Sequence, residues 1–136
     1  MNVEFIDTNI LVYAEDGGAG EKHRLAVDLL WQLATDGSGA LSIQVLAEFY
    51  NTATKKLGMT SEETEETVRD LAGWRIHRSS HADVVRAIGL QRRFRLSWWD
   101  AMIVNSAIES GAHILWSEDL SHGQAFGGMT VRNPFV

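Results

Sequence analysis

The chain of 136 residues contains no cysteine and a single proline, Pro134. The first absence excludes disulfide scaffolds, thiolate zinc sites, thiol catalysis and redox switching through cysteine. Any chemistry must therefore come from oxygen and imidazole groups. No apolar run approaches the roughly 18 residues that cross a bilayer. The amino-terminal stretch Met1-Asn2-Val3-Glu4-Phe5-Ile6-Asp7 carries an acid within its apolar run and has no basic n-region or small-residue cleavage site, so it does not read as a signal peptide. Cytoplasmic residence is the expectation. Positive charge is also scarce: 12 basic residues stand against 18 acidic ones, for a net charge of -6. A protein that holds nucleic acid by general positive charge is excluded. A nucleic-acid enzyme is not, because acids that bind a divalent cation present the opposite sign to a phosphate once the metal is in place. Repeats, low-complexity tracts and Pro/Ser-rich linkers are lacking too, so residues 1–136 read as one domain with no membrane association.

What is present is an alternation of strand and helix signals. Val3 to Ile6 is a short apolar run stopped by Asp7-Thr8-Asn9, after which Ile10 to Tyr13 begin a short helix. From Lys22 to Ala34, Leu25, Ala26, Leu29, Leu30 and Leu33 follow helical spacing up to Asp36-Gly37-Ser38-Gly39. Ala40-Leu41-Ser42 reads as a strand. Ile43, Leu46, Ala47, Tyr50, Ala53 and Leu57 then share a helix face before Gly58, with Glu48 one residue round from it. Thr60-Ser61-Glu62-Glu63 has the form of a capping box and opens an acidic helix to about Ala72. Trp74 and Ile76 alternate with Arg75 and His77 as a strand, and Ser80 with Asp83 caps a helix carrying Val84, Val85, Ile88 and Phe94. Trp98 to Ile108 is apolar on most sides and reads as a helix buried on two faces; His113 to Ser117 and Met129 to Arg132 complete the strands. Strands alternating with helices imply α/β architecture, a parallel sheet covered on both faces, with ligands bound beyond the carboxyl ends of its strands.

Four acids stand in contexts that look buried: Asp7 after the first strand, Glu48 within an apolar helix, Asp100 between Trp99 and Met102, and Asp119 after Leu115-Trp116. Carboxylates are seldom buried unless paired or ligated, so several converging on a strand-end crevice require a counter-charge. Hard divalent cations such as Mg²⁺ or Mn²⁺, held by carboxylates and waters, supply it and keep positions open for phosphate oxygens. Each acid alone has a plainer reading. Asp7 fits a helix cap, Asp100 a first-turn acid favoured by the helix dipole, Glu48 a partner of Lys55 or Lys56, and Asp119 a turn acid.

Other chemistries fit less well. His23, His77, His81, His113 and His122 form no His-Glu-x-x-His pattern, and read mostly as surface residues. Gly17-Gly18-Ala19-Gly20 lacks the Lys-Ser/Thr of a phosphate loop, and no Gly-x-Ser-x-Gly elbow occurs. A signalling receiver domain would need a lysine after its last strand, whereas the lysines are Lys22, Lys55 and Lys56. The five tryptophans have the spacing of core residues, with base stacking as the other reading. Arg86, Arg92, Arg93 and Arg95 form a basic stretch without an acid between Asp83 and Asp100, readable as an RNA-binding strip or as a solvated helix face.

The order of these segments resembles the PIN domain family and, within it, the VapC-type toxins of type II toxin-antitoxin pairs, which are usually single PIN domains of about this length. The similarity runs from Val3 to Phe135. It is carried by Phe5-Ile6-Asp7-Thr8-Asn9-Ile10-Leu11, Ser42-Ile43-Gln44-Val45-Leu46-Ala47-Glu48-Phe49, Trp99-Asp100-Ala101-Met102-Ile103, Leu115-Trp116-Ser117-Glu118-Asp119-Leu120 and Val131-Arg132-Asn133-Pro134-Phe135. The resemblance implies a three-layer α/β/α sandwich with a short, mainly parallel central sheet. It implies a Mg²⁺- or Mn²⁺-dependent endoribonuclease with Asp7, Glu48, Asp100 and Asp119 as its catalytic acids and Asp7 and Asp100 as direct metal ligands. Asn9 and Ser117 are supporting residues, and Glu118 competes with Asp119 for the fourth position. An RNA substrate, a homodimer and a cognate antitoxin protein are implied as partners. A PIN nuclease of RNA processing outside toxin-antitoxin systems, or a non-catalytic PIN-like binding module, is the alternative.

Overall fold

A computed structural model describes residues 2–136. Six strands, β1 (Val3–Ile6), β2 (Gly39–Ser42), β3 (Arg75–His77), β4 (Ala112–Trp116), β5 (Ala125–Phe126) and β6 (Met129–Arg132), form one sheet in the order β3-β2-β1-β4-β6-β5. Every pairing is parallel except β5 with β6, a hairpin closed by Gly127-Gly128. Six α-helices flank it: α1 (Thr8–Glu15), α2 (Glu21–Asp36), α3 (Ile43–Lys56), α4 (Ser61–Asp70), α5 (His81–Phe94) and α6 (Trp98–Glu109). α1 packs on α2 and α3, α3 on α4, and α5 on α6. The result is the α/β sandwich with a mainly parallel sheet that the strand-helix alternation implies. None of its helices is long and apolar enough to cross a membrane, among the described residues.

Burial explains the centre of the sheet. Phe5 and Ile6 of β1, Ala40 and Leu41 of β2, and Leu115 of β4 are fully buried, in register as Phe5 beside Ala40 and Leu115. Strands covered on both faces read as continuous apolar runs, which is how β1 and β4 read. α6 is buried from Ala101 through Ala107 on every side. The helices start where the sequence indicates: Thr60 and Glu63 exchange hydrogen bonds of 2.9 and 3.0 Å in a reciprocal capping box, and Ser80 with Asp83 forms a second. α2 stops at Gly37, whose φ of 68° would be strained for a residue with a side chain.

Four expectations are corrected. α3 buries Val45, Phe49 and Ala53, an i, i+4, i+8 stripe, and leaves Ile43 and Tyr50 exposed, because the branched and aromatic pair Val45-Phe49 fills the space against the sheet better than the longer apolar list. On α5, Val84, Val85 and Ile88 are exposed and Ala87 packs against Ala101 and Met102 of α6. Trp31 and Trp99 are exposed, while Trp74, Trp98 and Trp116 pack on the core. His23, His77 and His113 are half-buried and hydrogen-bonded rather than on the surface. α4 ends at Asp70 and continues as a single 3-10 turn, Leu71–Gly73.

The sheet order positions the site. From β1 the chain builds outward through β2 to β3 on one side, whereas β4 and β6 lie on the other. Adjacent parallel strands whose connections diverge leave a crevice at their carboxyl ends, and here that crevice lies between β1 and β4.

Candidate active site

Asp7 follows β1, and Ser117-Glu118-Asp119 follows β4, so both sides of the crevice carry acids. The backbone ties the two ends together, with the Asp7 amide donating to the Trp116 carbonyl at 3.0 Å. Asp7 is only 4 % exposed. Its Oδ1 accepts from the Thr8 amide at 2.7 Å, as the cap of α1, and its Oδ2 accepts from the Ser117 hydroxyl at 2.8 Å. Ser117 Oγ in turn accepts from the Asp119 amide at 3.1 Å. Asn9 brackets the same loop: its amide donates to Asp119 Oδ2 at 3.1 Å and its carbonyl oxygen accepts from the Glu118 amide at 3.3 Å. Asp7, Asn9, Ser117 and Asp119 thus form one hydrogen-bonded unit across the switch point.

Glu48 and Asp100 approach from the helices. Ser42 caps α3 and aims its first turns at the carboxyl end of β2, which places Glu48 on the wall of a groove of about 390 Å³ shared with Thr8, Asn9, Thr52, Lys56 and Asp119. Ser97 caps α6 by accepting from the Asp100 amide at 3.2 Å and fixes Asp100 in the first helical turn. Of the four acids only Asp7 is buried; Asp100 is half-buried, and Glu48 and Asp119 are exposed to the groove. The expectation of four buried contexts is corrected, because rotation of α3 about Val45 and Phe49 turns Glu48 to the solvent side.

The electrostatics tie the acids together. Burial pushes the Asp7 carboxyl up to about 7 against the lowering of its two hydrogen bonds, and the charges of Asp119 and Glu48 add to the rise. Burial also raises Asp100, opposed by Ser97 and reinforced by Asp119. Asp119 is therefore the charge that both Asp7 and Asp100 feel. Burial, hydrogen bonds and neighbouring carboxylates set both shifts, and Lys56 is the lysine in the wall of the adjoining groove. Thr8 Oγ1, buried beside Asp7, has no hydrogen-bond partner. A buried carboxylate, the carboxylates that repel it and an unpartnered oxygen fit a hard divalent cation. Among the described residues no group of three His, Asp or Glu side chains is placed to hold a metal ion.

Glu118 is engaged elsewhere. It accepts from Lys22 Nζ at 2.5 Å and from the Tyr13 hydroxyl at 2.7 Å, and these donors hold it below the usual glutamate range despite partial burial. Lys22 also sits over the Tyr13 and Phe135 rings. Sequence spacing gave no signal for this clamp, since Tyr13, Lys22, Glu118 and Phe135 are far apart in the chain. The arginine strip divides as well. Arg86 pairs with Asp83 at 3.1 Å and with Glu109 at 3.2 Å. Glu109 ends α6 while Asp100 begins it, roughly 13 Å away along the helix at 1.5 Å per residue, so Arg86 is withdrawn from the acids. Arg92 and Arg93 lie in the last turn of α5, and Arg95 caps it with φ 55°, three residues before α6 begins.

No curated protein sequence gives a significant match. Among solved structures, the chain is similar to one from a toxin-antitoxin complex of Klebsiella pneumoniae, with 23% identity, a TM-score of 0.71, and 97% of this chain and 98% of that one covered. It is similar to one from a VapBC complex of Rickettsia felis bound to a promoter DNA fragment, at 20% identity and TM-score 0.69, covering 96% and 98%. A sarcin-ricin loop cleaving toxin of Mycobacterium tuberculosis shares 16% identity at TM-score 0.66 over 85% and 91%. The family model for the PIN domain matches residues 5–124, from the middle of β1 to the turn before β5, so the chain belongs to the PIN domain family.

Proposed function

We propose that the protein is a Mg²⁺- or Mn²⁺-dependent endoribonuclease, the toxin of a toxin-antitoxin pair, built as a single domain and acting in the cytoplasm. The observation that carries this reading is the gathering of acids at the β1–β4 crevice: Asp7, buried and raised to about 7 by that burial and by the charges of Asp119 and Glu48, directly precedes Thr8 and Asn9, which line a groove together with Glu48, Asp119 and Lys56. PIN domain nucleases generally use divalent metal ions, and Asp7 and Asp100 are the carboxylates we assign to hold one. When bound, the ion supplies the positive charge that polarises a scissile phosphate and stabilises the leaving oxygen.

The protein's own groups have distinct tasks. The Thr8 amide and Ser117 hydroxyl fix both oxygens of Asp7. Asn9 holds Asp119 by its outer oxygen. Glu48 and Asp119, exposed in the groove, orient the attacking water and take its proton as its oxygen bonds to phosphorus and the phosphorus-oxygen bond to the leaving nucleotide breaks. Arg92, Arg93 and Arg95 meet the flanking phosphates; Arg86 does not, being held by Asp83 and Glu109. The likeness to a chain of a toxin-antitoxin complex and to a sarcin-ricin loop cleaving toxin supports an antitoxin partner and an RNA substrate. A homodimer follows from the same family reading.

The test is cleavage of a total RNA pool with Mg²⁺ or Mn²⁺ by purified protein, beside folded Asp7→Asn and Asp100→Asn variants. Metal-dependent cutting lost in both variants is the expected result. RNA bound but not cut favours a binding module, and calorimetry detecting no cation overturns the nuclease reading.

A further inference from the structure

Trp99 has no task in the scheme above. The neighbouring tryptophans diverge by one helical step: Trp98 packs against Ala87, Ala101 and Met102, whereas Trp99 is 63% exposed and belongs to no aromatic pair among the described residues. Its indole borders a cavity of about 350 Å³ whose other walls are Gln44, Ala47 and Glu48. One of the proposed catalytic acids, Glu48, stands in its wall, and another, Asp100, follows Trp99 in the chain. Gln44 donates through Nε2 to Glu48 Oε1 at 2.6 Å, which leaves its own Oε1 buried without a partner. An unpaired buried acceptor is costly and calls for a donor.

An occupant must therefore be flat enough to cover an indole face, present an N–H at its edge to Gln44, and be joined to a group that reaches the acids. A nucleobase of an RNA strand satisfies all three conditions. An apolar peptide side chain satisfies only the first, and an acidic one is repelled by Glu48. We propose that this cavity is a nucleobase subsite, in which Trp99 stacks the base next to the scissile phosphate and Gln44 Oε1 accepts a hydrogen bond from that base. A base can enter only when it is free of its helical neighbours, so the substrate is RNA unpaired at the cut, in a loop or a single strand. The inference rests on the nuclease reading and deepens it.

The test is equilibrium binding of a short unpaired oligoribonucleotide in Ca²⁺, scanned with a single abasic position, for the wild type and for Trp99→Ala, Trp99→Phe and Gln44→Met, together with RNA cleavage in Mg²⁺. Trp99→Ala is expected to weaken binding about 5- to 100-fold, the range of one base-aromatic stack. Trp99→Phe should retain most of the affinity and Gln44→Met lose part of it. One abasic position should cost the wild type as much as Trp99→Ala does and cost that variant nothing more. Abasic and Trp99→Ala losses that simply add, wild-type affinity in Trp99→Ala, or a loss confined to a protein partner overturns the subsite while leaving the nuclease intact. No binding and no cleavage by the wild type itself overturns both readings.

Discussion

Removing the charge of Asp7 should make the protein more stable at neutral and alkaline pH while removing its activity. The carboxyl is 4 % exposed and raised to about 7 from an ordinary value of 3.8. Between these values the folded state holds a proton that the unfolded chain has lost, so stability falls as pH rises and reaches its floor above pH 7. Three pH units at 1.36 kcal/mol each give a full cost of about 4 kcal/mol for the ionised form. Asp7→Asn escapes that cost. Its amide can face Ser117, whose hydroxyl rotates to accept, and one imperfect hydrogen bond returns about 1 kcal/mol. The variant should therefore exceed the wild type by roughly 3 kcal/mol at about pH 8 and by little at about pH 5. Urea unfolding in EDTA at both values, followed by far-ultraviolet circular dichroism, reads the difference. A stability gap that is the same at the two values, or an Asp7→Asn variant less stable at the higher one, refutes the reasoning. Adding Mg²⁺ at a hundred times its dissociation constant should then stabilise the wild type by about 2.7 kcal/mol and the variant not at all.

Three further outcomes follow from the same structure. Asp83, 3 % exposed, accepts from Ser80, Asn105 and Arg86; Asp83→Ala should cost about 1–3 kcal/mol in urea unfolding, because it leaves the buried Asn105 amide unpaired while Arg86 keeps Glu109. A Cβ on Gly39 would stand 2.4 Å from the Trp74 ring, so Gly39→Ala should cost about 1–3 kcal/mol and be relieved by Trp74→Leu, read as recovery of the thermal midpoint. Lys22→Met frees Glu118 beside Asp119 and should lower kcat/KM roughly tenfold through misplacement of the loop, with the melting temperature near that of the wild type; an unchanged kcat/KM shows that the clamp does not position Asp119.

Most of the fold is legible in the sequence because its signals are local. The capping boxes at Thr60 and Ser80, the glycine after α2 and the apolar runs of β1 and β4 each act within a few residues. What is not legible is which side of a helix turns inward when both sides carry apolar residues. α3 offers Ile43, Leu46 and Tyr50 on one side and Val45, Phe49 and Ala53 on the other, and only the space left by α1 and β2 selects the second. β5 is two residues long and exists because β6 offers it an edge, a tertiary cause that Ala125-Phe126 does not display.

The site was legible as a set of positions and not as a set of environments. Asp7, Asn9, Ser117 and Asp119 are brought together by the β1–β4 pairing, which the strand-end argument anticipates. Their unequal burial depends on helix rotation and loop closure, so the expectation of four equally buried acids failed. That inequality has a chemical consequence. Only Asp7 bears the full cost of charge in a dry place, while Glu48 and Asp119 lie in the groove and contribute repulsion. On the proposed reading, a cation bound at Asp7 would offset both the desolvation cost and the repulsion, so the energy that destabilises the ionised crevice would return as affinity for the ion. Glu118 cannot take that role with Lys22 and Tyr13 in place, since its charge is already balanced. Asp119, next to it, accepts from the Asn9 amide, so on the proposed reading it is the carboxylate left to act with Asp7 on a divalent ion at the carboxyl ends of β1 and β4.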